Sequence, residues 1–172
     1  HPLAGGVPPI RSSVYDGGFT SFAAFDLRSE WDSSVAMTIE AWVFRQDANR
    51  YETIVSHDAP GSYWLGFSPR LRFYRGTNFA EVATPVLANK WTHVAVSYDG
   101  ALARFYINGQ LAGTRALTHT GTGKLRTLLL GHDDSHNIDI GPRNRFMGNL
   151  DEVRMWSVAR SAAEIGDGLY RE

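Results

Sequence analysis

The chain has 172 residues, the length of one domain with a substantial core, and its 43% apolar and 20% charged residues exclude a disordered tail. Its 17 basic and 18 acidic side chains give a net charge of −1, which excludes a general attraction to nucleic acid, and no segment is apolar enough for membrane insertion. The absence of cysteine excludes disulfides, Cys-ligated zinc and thiol catalysis.

The N-terminal segment differs in composition from the rest of the chain. Residues His1 to Pro9 are rich in Gly and Pro, and the chain opens without an initiator Met. This composition predicts a linker or N-terminal extension over residues 1–13, and a single domain over residues 14–172. We expect this domain to be a piece of a longer chain.

Short apolar runs separated by turn residues predict an all-β domain. Strands are predicted at residues 37–44, 52–56, 63–67, 71–74, 91–98, 103–107, 125–130 and 151–156, with a further strand starting at Leu111. Between the sixth strand and the strand at Leu111, Asn108-Gly109 predicts a type I′ turn, because both central residues of that turn need a positive φ. Near the end, Ser161 and Glu164 have the spacing of a capping box and predict a short helix.

Four motifs, in this order and spacing, resemble the laminin-G-like and pentraxin-like branch of the concanavalin A-like lectin/glucanase superfamily. They are MTIEAWV at 37–43, WTHVAVSYDG at 91–100, FYING at 105–109 and FMGNLDEVRMW at 146–156. The resemblance implies a two-sheet antiparallel jelly-roll sandwich with a short C-terminal helix. It also implies a binding module more often than an enzyme, although the fold alone does not decide the function.

The loop at residues 132–139 is the most acidic in the chain, and its carboxylate and amide oxygens are ligands that calcium prefers. In pentraxins the loop at this position carries calcium ligands. The resemblance carries that role to Asp133 and Asp134, to Asn144 before the Phe-x-Gly motif, and to Asp58 in an earlier loop. The alternative is a solvated polar loop without a metal.

Asp151, in the last predicted strand, is a second calcium candidate. Related jelly rolls often hold a structural calcium between an acidic residue at this position and an N-terminal loop, which here would supply backbone oxygens near residues 16–18. The alternative is that Asp151 makes only local contacts.

Two strands alternate basic and aromatic side chains with apolar ones. Arg70, Arg72 and Tyr74 share one face of the first strand, and Arg104 and Tyr106 repeat this arrangement in the central hairpin. If these faces belonged to one sheet, they would form a platform suited to an anionic glycan, because guanidinium groups bind carboxylates and sulfates and tyrosine rings stack on sugar rings. The alternative is an ordinary solvated outer face.

The five tryptophans divide in the same way. Trp42, Trp91 and Trp156 lie in the family motifs and are predicted to be core residues. Trp31 and Trp64 are freer to line a ligand site.

Catalytic motifs are missing from the sequence: there is no Gly-x-Ser-x-Gly elbow, and Glu152 is expected to point away from its neighbour Asp151 across the strand. We therefore predict a non-catalytic recognition module that binds a glycan with calcium-supported loops, as part of a larger extracellular or cell-surface protein. The alternatives are a protein–protein adhesion module, with other extracellular proteins as partners, and a glycan hydrolase or lyase whose site the sequence does not reveal.

Overall fold

The computed structural model describes residues 23–25, 36–57, 63–120, 128–132 and 144–170. Within these ranges the elements, in chain order, are β1 (Ala23–Phe25), β2 (Met37–Arg45), β3 (Glu52–His57), β4 (Tyr63–Ser68), β5 (Arg70–Arg75), β6 (Asn78–Glu81), β7 (Trp91–Tyr98), β8 (Leu102–Ile107), β9 (Gln110–Ala116), β10 (Leu128–Leu130), β11 (Gly148–Trp156) and α1 (Ala162–Gly168).

The strands form two antiparallel sheets packed face to face. In the described residues, one sheet has the order β1-β10-β3-β4-β5-β6 and the other has the order β11-β2-β7-β8-β9. Side chains that alternate along the strands meet between the sheets and are fully buried, among them Ile39, Val96, Phe73 and Phe105. The predicted all-β jelly-roll sandwich is thereby confirmed. The strands β2 to β5, β7 and β8 begin and end within one residue of their predicted bounds.

The hairpin between β8 and β9 has the predicted turn. Asn108 has a φ of 50° and Gly109 has a φ of 74°, so both central residues lie in the left-handed region. The Asn108 side chain also accepts a hydrogen bond of 3.0 Å from the backbone N–H of His93, which ties the turn to β7. The turn therefore fixes the register of the central hairpin from two directions.

Three strands differ from the sequence prediction. The strands β1 and β6 were not predicted, and β11 begins three residues earlier, at Gly148. The strand β6 has only four residues at the edge of its sheet, so its apolar alternation is too short to be recognised. The predicted start of β10 lies outside the described residues.

The helix α1 lies on the outer face of the five-stranded sheet. Its predicted capping box is confirmed: the Ser161 hydroxyl accepts a hydrogen bond from Glu164 N–H, and the Glu164 carboxylate accepts one from Ser161 N–H. From this helix Ile165 forms a small buried cluster with Ala95 and Tyr106. Among the helical residues that the structure describes, no stretch is long and apolar enough to span a membrane.

Among the described residues, Arg45 and Glu52 form an ion pair inside the sandwich. Arg45 Nε is 2.6 Å from Glu52 Oε2, both side chains are fully buried, and the guanidinium lies over the ring of Phe67 at 3.8 Å. Arg45 also donates to the carbonyl of Val86, and the second carboxylate oxygen of Glu52 accepts from Met147 N–H. This pair therefore joins the ends of β2 and β3 to two loops.

Candidate functional site

The predicted single platform of arginine and tyrosine side chains does not form. Arg70, Arg72 and Tyr74 lie on β5 of the six-stranded sheet, whereas Arg104 and Tyr106 lie on β8 of the five-stranded sheet. Each set points away from the core, so the two sets lie on opposite outer faces of the sandwich. The prediction that they share one surface is wrong, because alternation within a strand does not reveal which sheet the strand joins.

The two predicted ligand residues on β8 are held by contacts within the domain. Tyr106 is only 2% exposed, beneath Ile165 of α1, and this burial raises the pKa of its phenol. Arg104 Nη1 is 2.7 Å from Asp99 Oδ2. Hydrogen bonds from Leu102 N–H and from Arg104 lower the pKa of Asp99 to about 2. Tyr106 is therefore unavailable as a ligand platform, and Arg104 is held in a surface ion pair.

The other predicted ligand residues, on β4 and β5, lie on the outer face of β4, β5 and β6. We call this surface the Arg72 face, and its members are Trp64, Arg70, Arg72, Tyr74, Phe79 and Glu81. The strand register places its side chains in two adjacent rows, one with Tyr74 between Trp64 and Phe79 and one with Arg72 opposite Glu81. Strand pairing therefore fixes these side chains in an ordered arrangement.

Three aromatic rings follow one another across the first row. The Trp64 and Tyr74 ring centroids are 5.7 Å apart in an edge arrangement, and the Tyr74 and Phe79 centroids are 5.1 Å apart and tilted. Phe79 is 49% exposed on the edge strand. The row therefore ends in an exposed aromatic ring, Phe79, that packs on Tyr74.

The Arg72 guanidinium holds the two rows together. Its Cζ lies 4.1 Å from the centre of the Phe79 ring, and its Nε and Nη2 donate to Glu81 Oε2 at 3.0 and 2.8 Å. Burial lowers the pKa of Arg72, but hydrogen bonds to Glu81 and to the Tyr74 hydroxyl outweigh it, so the pKa rises and the group stays charged. Arg70 is exposed, and its Nη1 lies 3.8 Å from Glu81 Oε1.

Trp64 forms the floor of this face. It is 6% exposed, and its Nε1 donates to the hydroxyl of Thr53 at 3.0 Å. A Cβ on Gly66 would lie 2.5 Å from the Trp64 ring, so the glycine leaves the space that the ring fills. Trp64 supports the exposed rings but offers little surface of its own to a ligand.

Sequence reasoning missed Phe79 and Glu81, which complete the Arg72 face. The available signal was the segment Asn78-Phe79-Ala80-Glu81 after the turn at Gly76 and Thr77. That turn returns the chain alongside β5, and pairing with β5 puts Phe79 and Glu81 beside Tyr74 and Arg72.

The structure describes some of the predicted calcium ligands but not others. Asp58, Asp133 and Asp134 lie outside the described residues, so their predicted role stays a prediction. Asn144 is described, two residues before Phe146, whose N–H donates to the carbonyl of Gly131. Among the described residues no group of three or more His, Asp or Glu side chains is arranged to hold a metal ion.

Asp151 and Glu152 lie at a bulge in β11. The register shifts between Asp151 and Arg154, and Glu152 has a φ of 48°. Glu152 binds Arg154, which lies on the outer face opposite Glu40, and Asp151 Oδ1 accepts from Glu152 N–H at 2.8 Å. The expectation that Glu152 points to the opposite face from Asp151 is wrong, because the bulge interrupts the alternation of the strand.

A buried charged cluster lies between this strand and α1. The Glu40 carboxylate, 1% exposed, has Arg154 at 3.5 Å, Arg160 at 3.6 Å and His93 at 3.8 Å. Burial raises the pKa of Glu40 to about 7, although Arg160 and Arg154 oppose this shift. Burial and the same two arginines lower the pKa of His93 to about 4. The cluster is a protonation-sensitive contact beneath the helix.

The described tryptophans differ from their predicted roles. Trp91, predicted in the core, is 40% exposed on the outer face of the five-stranded sheet, and Trp42 and Trp156 are only half-buried there. Trp64, predicted to be available, is nearly covered. Trp31 lies outside the described residues. The family motifs place these tryptophans in strands, but strand membership does not decide which face a side chain occupies.

A family model described as the concanavalin A-like lectin/glucanases superfamily matches residues 16–166. Among curated relatives, pappalysin-1 of Mus musculus is 32% identical over an alignment that covers 92% of this chain and 11% of pappalysin-1. The chain therefore spans about a tenth of the length of that relative.

Two solved structures share the fold. A putative carbohydrate binding protein from Bacteroides ovatus is 22% identical with a TM-score of 0.64, over 96% of this chain and 46% of that one. Domain 4 of AbnA, a GH43 extracellular arabinanase from Geobacillus stearothermophilus in complex with arabinotriose, is 17% identical with a TM-score of 0.64, over 90% of this chain and 74% of that one. The family match, the two-sheet topology and these likenesses agree, and the chain belongs to the concanavalin A-like lectin/glucanases superfamily.

Proposed function

We propose that this chain is a non-catalytic glycan-binding module of a larger extracellular protein, and that it contacts its ligand through the Arg72 face. The observation that carries the proposal is the exposed Phe79 ring, supported by Tyr74 and by the guanidinium of Arg72. Flat aromatic faces beside fixed hydrogen-bonding groups suit the apolar faces and hydroxyl edges of sugar rings.

The charge of this face favours an anionic glycan. Arg72 is held by Glu81, whereas Arg70 is exposed and lies at a longer distance from the same carboxylate. A carboxylate or sulfate on the sugar would compete with Glu81 for a guanidinium that already lies at the surface. Arg70 is therefore the residue that we assign to ligand charge.

The known relatives support this kind of role for the fold. One solved neighbour is described as a putative carbohydrate binding protein, and another is a domain of an extracellular arabinanase in complex with arabinotriose. Because the chain matches only a small share of pappalysin-1, we propose a module attached to a longer protein.

Calcium belongs to the proposal as a support for the loops. Asp58, Asp133, Asp134 and Asn144 would supply oxygen ligands, and the ion would hold the loops in one arrangement. The Arg72 face does not depend on this ion, so the two parts of the proposal are tested separately.

A glycan array carrying neutral and anionic sugars tests the Arg72 face. We expect binding, and we expect Phe79→Ala to weaken it about tenfold, which corresponds to about 1.4 kcal/mol. Arg70→Ala should weaken binding to anionic glycans more than to neutral ones, and the loss should shrink at high salt. Arg104→Ala removes a partly exposed arginine on the opposite sheet, and this matched control should bind like the wild type.

Two results would contradict the proposal. Turnover of any polysaccharide by the purified chain would show an enzyme. Failure to bind any glycan, combined with capture of a partner protein that depends on Phe79, would show an adhesion module.

A further inference from the structure

A second aromatic surface lies on the opposite side of the sandwich. We call it the Trp91 strip, and its members are Trp42, Phe44, Trp91, Asn149, Asp151 and Tyr170. The strand register places Phe44 between Asn149 and Trp91 in one row, and Trp42 between Asp151 and His93 in the next row. These rows cross β11, β2 and β7 on the outer face of the five-stranded sheet.

The rings of the strip pack on one another and remain partly exposed. The Phe44 and Trp91 centroids are 5.8 Å apart, and the Trp42 and Tyr170 centroids are 6.0 Å apart. Trp91 is 40% exposed and Tyr170 is 84% exposed. Covering the exposed parts of these rings would stabilise a complex, because apolar surface would be removed from water.

The helix explains why the strip is open. From α1, Ile165 covers Ala95 and Tyr106, and the turn after the helix reaches Trp42, whose Nε1 donates to the carbonyl of Leu169 at 3.3 Å. Phe44 and Trp91 lie beyond this contact, toward the other end of β2 and β7. The helix therefore forms one wall of the strip instead of a cover over it.

The charges of the strip distinguish it from the Arg72 face. Asp151 and Glu152 lie at its edge, and the Arg154 guanidinium beside them binds Glu152, Glu40 and the carbonyl of Gly168. Lys90 is exposed at the end next to Trp91. Because Arg154 pairs with Glu152, the Asp151 carboxylate is the group at the edge that disfavours an anionic sugar and accepts hydrogen bonds from the hydroxyls of a neutral one.

We propose that the Trp91 strip is a second glycan-binding site, specific for a neutral sugar, which would let one module hold two glycan chains on opposite faces. Trp91 and Tyr170 offer exposed rings for stacking, and Asn149 and Asp151 lie in the same rows as Phe44 and Trp42, where they can bind sugar hydroxyls. The inference extends the proposed function, but the strip is a separate surface and is tested by itself.

The test measures binding of neutral pentose and hexose trisaccharides, including arabinotriose, by calorimetry and by NMR. We expect Trp91→Leu, which keeps an apolar side chain but removes the flat ring, to weaken binding at least about tenfold. Trp91→Phe should keep binding within about threefold. Leu111→Ala, an exposed apolar side chain on the same sheet, is the control, and thermal melting checks that each variant folds.

The outcomes separate the two surfaces. Binding that is lost in Trp91→Leu and kept in Phe79→Ala supports the strip even if the Arg72 face binds nothing. The proposal is overturned if Trp91→Leu binds neutral trisaccharides like the wild type, or if the wild type binds none of them. It is also overturned if sedimentation shows a dimer that Trp91→Leu dissociates, because the strip would then be a contact between two copies of the chain.

Discussion

Glu40 Oε2 and His93 Nε2 lie 3.8 Å apart beneath the helix, and burial shifts the pKa values of these two groups in opposite directions. Glu40 tends to take up a proton near neutral pH, and His93 resists protonation until about pH 4. Both effects come from removing charge from water, because each group is more stable buried in its neutral form.

Because the two pKa shifts have opposite directions, removing Glu40 or His93 should make stability change with pH in opposite directions. The raised pKa of Glu40 adds stability below pH 4.5 that is lost as the pH rises through about 7. The lowered pKa of His93 adds stability above pH 6.5 that is lost as the pH falls through about 4. Between these values the two contributions nearly cancel in the wild type.

His93→Gln leaves only the Glu40 contribution, so this variant should gain about 1–3 kcal/mol of stability as the pH falls from 7 to 4.5. Glu40→Gln should lose a similar amount as the pH falls from 6.5 to 4. Urea unfolding across this pH range measures both slopes. Slopes of the same sign in the two variants would contradict the assignment.

Removing one partner of the buried ion pair should be costly. Glu52→Gln leaves the Arg45 guanidinium buried without its carboxylate, so we expect a loss of about 3–5 kcal/mol. Arg104→Gln removes the partly exposed pair with Asp99 and should cost less than about 1 kcal/mol. Chemical unfolding gives both values. Equal losses would mean that burial of the first pair does not control its contribution.

Gly148 should tolerate no side chain. Its φ is 144°, and a Cβ there would overlap the carbonyl oxygen of Phe44, so Gly148→Ala should destabilise the protein by more than about 2 kcal/mol. Gly166 of α1 has no atom within 4 Å of an added Cβ. Gly166→Ala should therefore raise stability by about 0.5–1 kcal/mol. Melting temperatures that moved the same way in both variants would contradict this reasoning.

Calcium should stabilise the chain if the acidic loop binds it. The melting temperature should then rise with calcium and fall with a chelator, since a ligand that binds only the folded state stabilises it. Asp133→Ala should abolish the rise if the loop is the site, whereas Asp151→Asn should abolish it if the last strand is. Magnesium is the control ion. A melting temperature that is independent of calcium would contradict the prediction of both sites.

The Arg72 face shows how far a sequence can predict a site. The alternation of Arg70, Arg72 and Tyr74 against Leu71 and Phe73 correctly indicated an outward face. The same reasoning placed Arg104 and Tyr106 beside them, because alternation is a property of one strand and carries no information about its neighbours. Phe79 was missed because β6 is too short to give a pattern.

The sequence by itself determined most of the strands, the hairpin turn at Asn108-Gly109, the helix cap at Ser161 and the family. Each of these follows from interactions within a few residues, such as side-chain alternation, φ preference and capping. Only the tertiary structure decided which strands share a sheet, that α1 covers Tyr106 and leaves Trp91 exposed, and that a bulge turns Glu152 to the outer face. Those outcomes depend on pairing and packing between distant segments, and no local pattern encodes them.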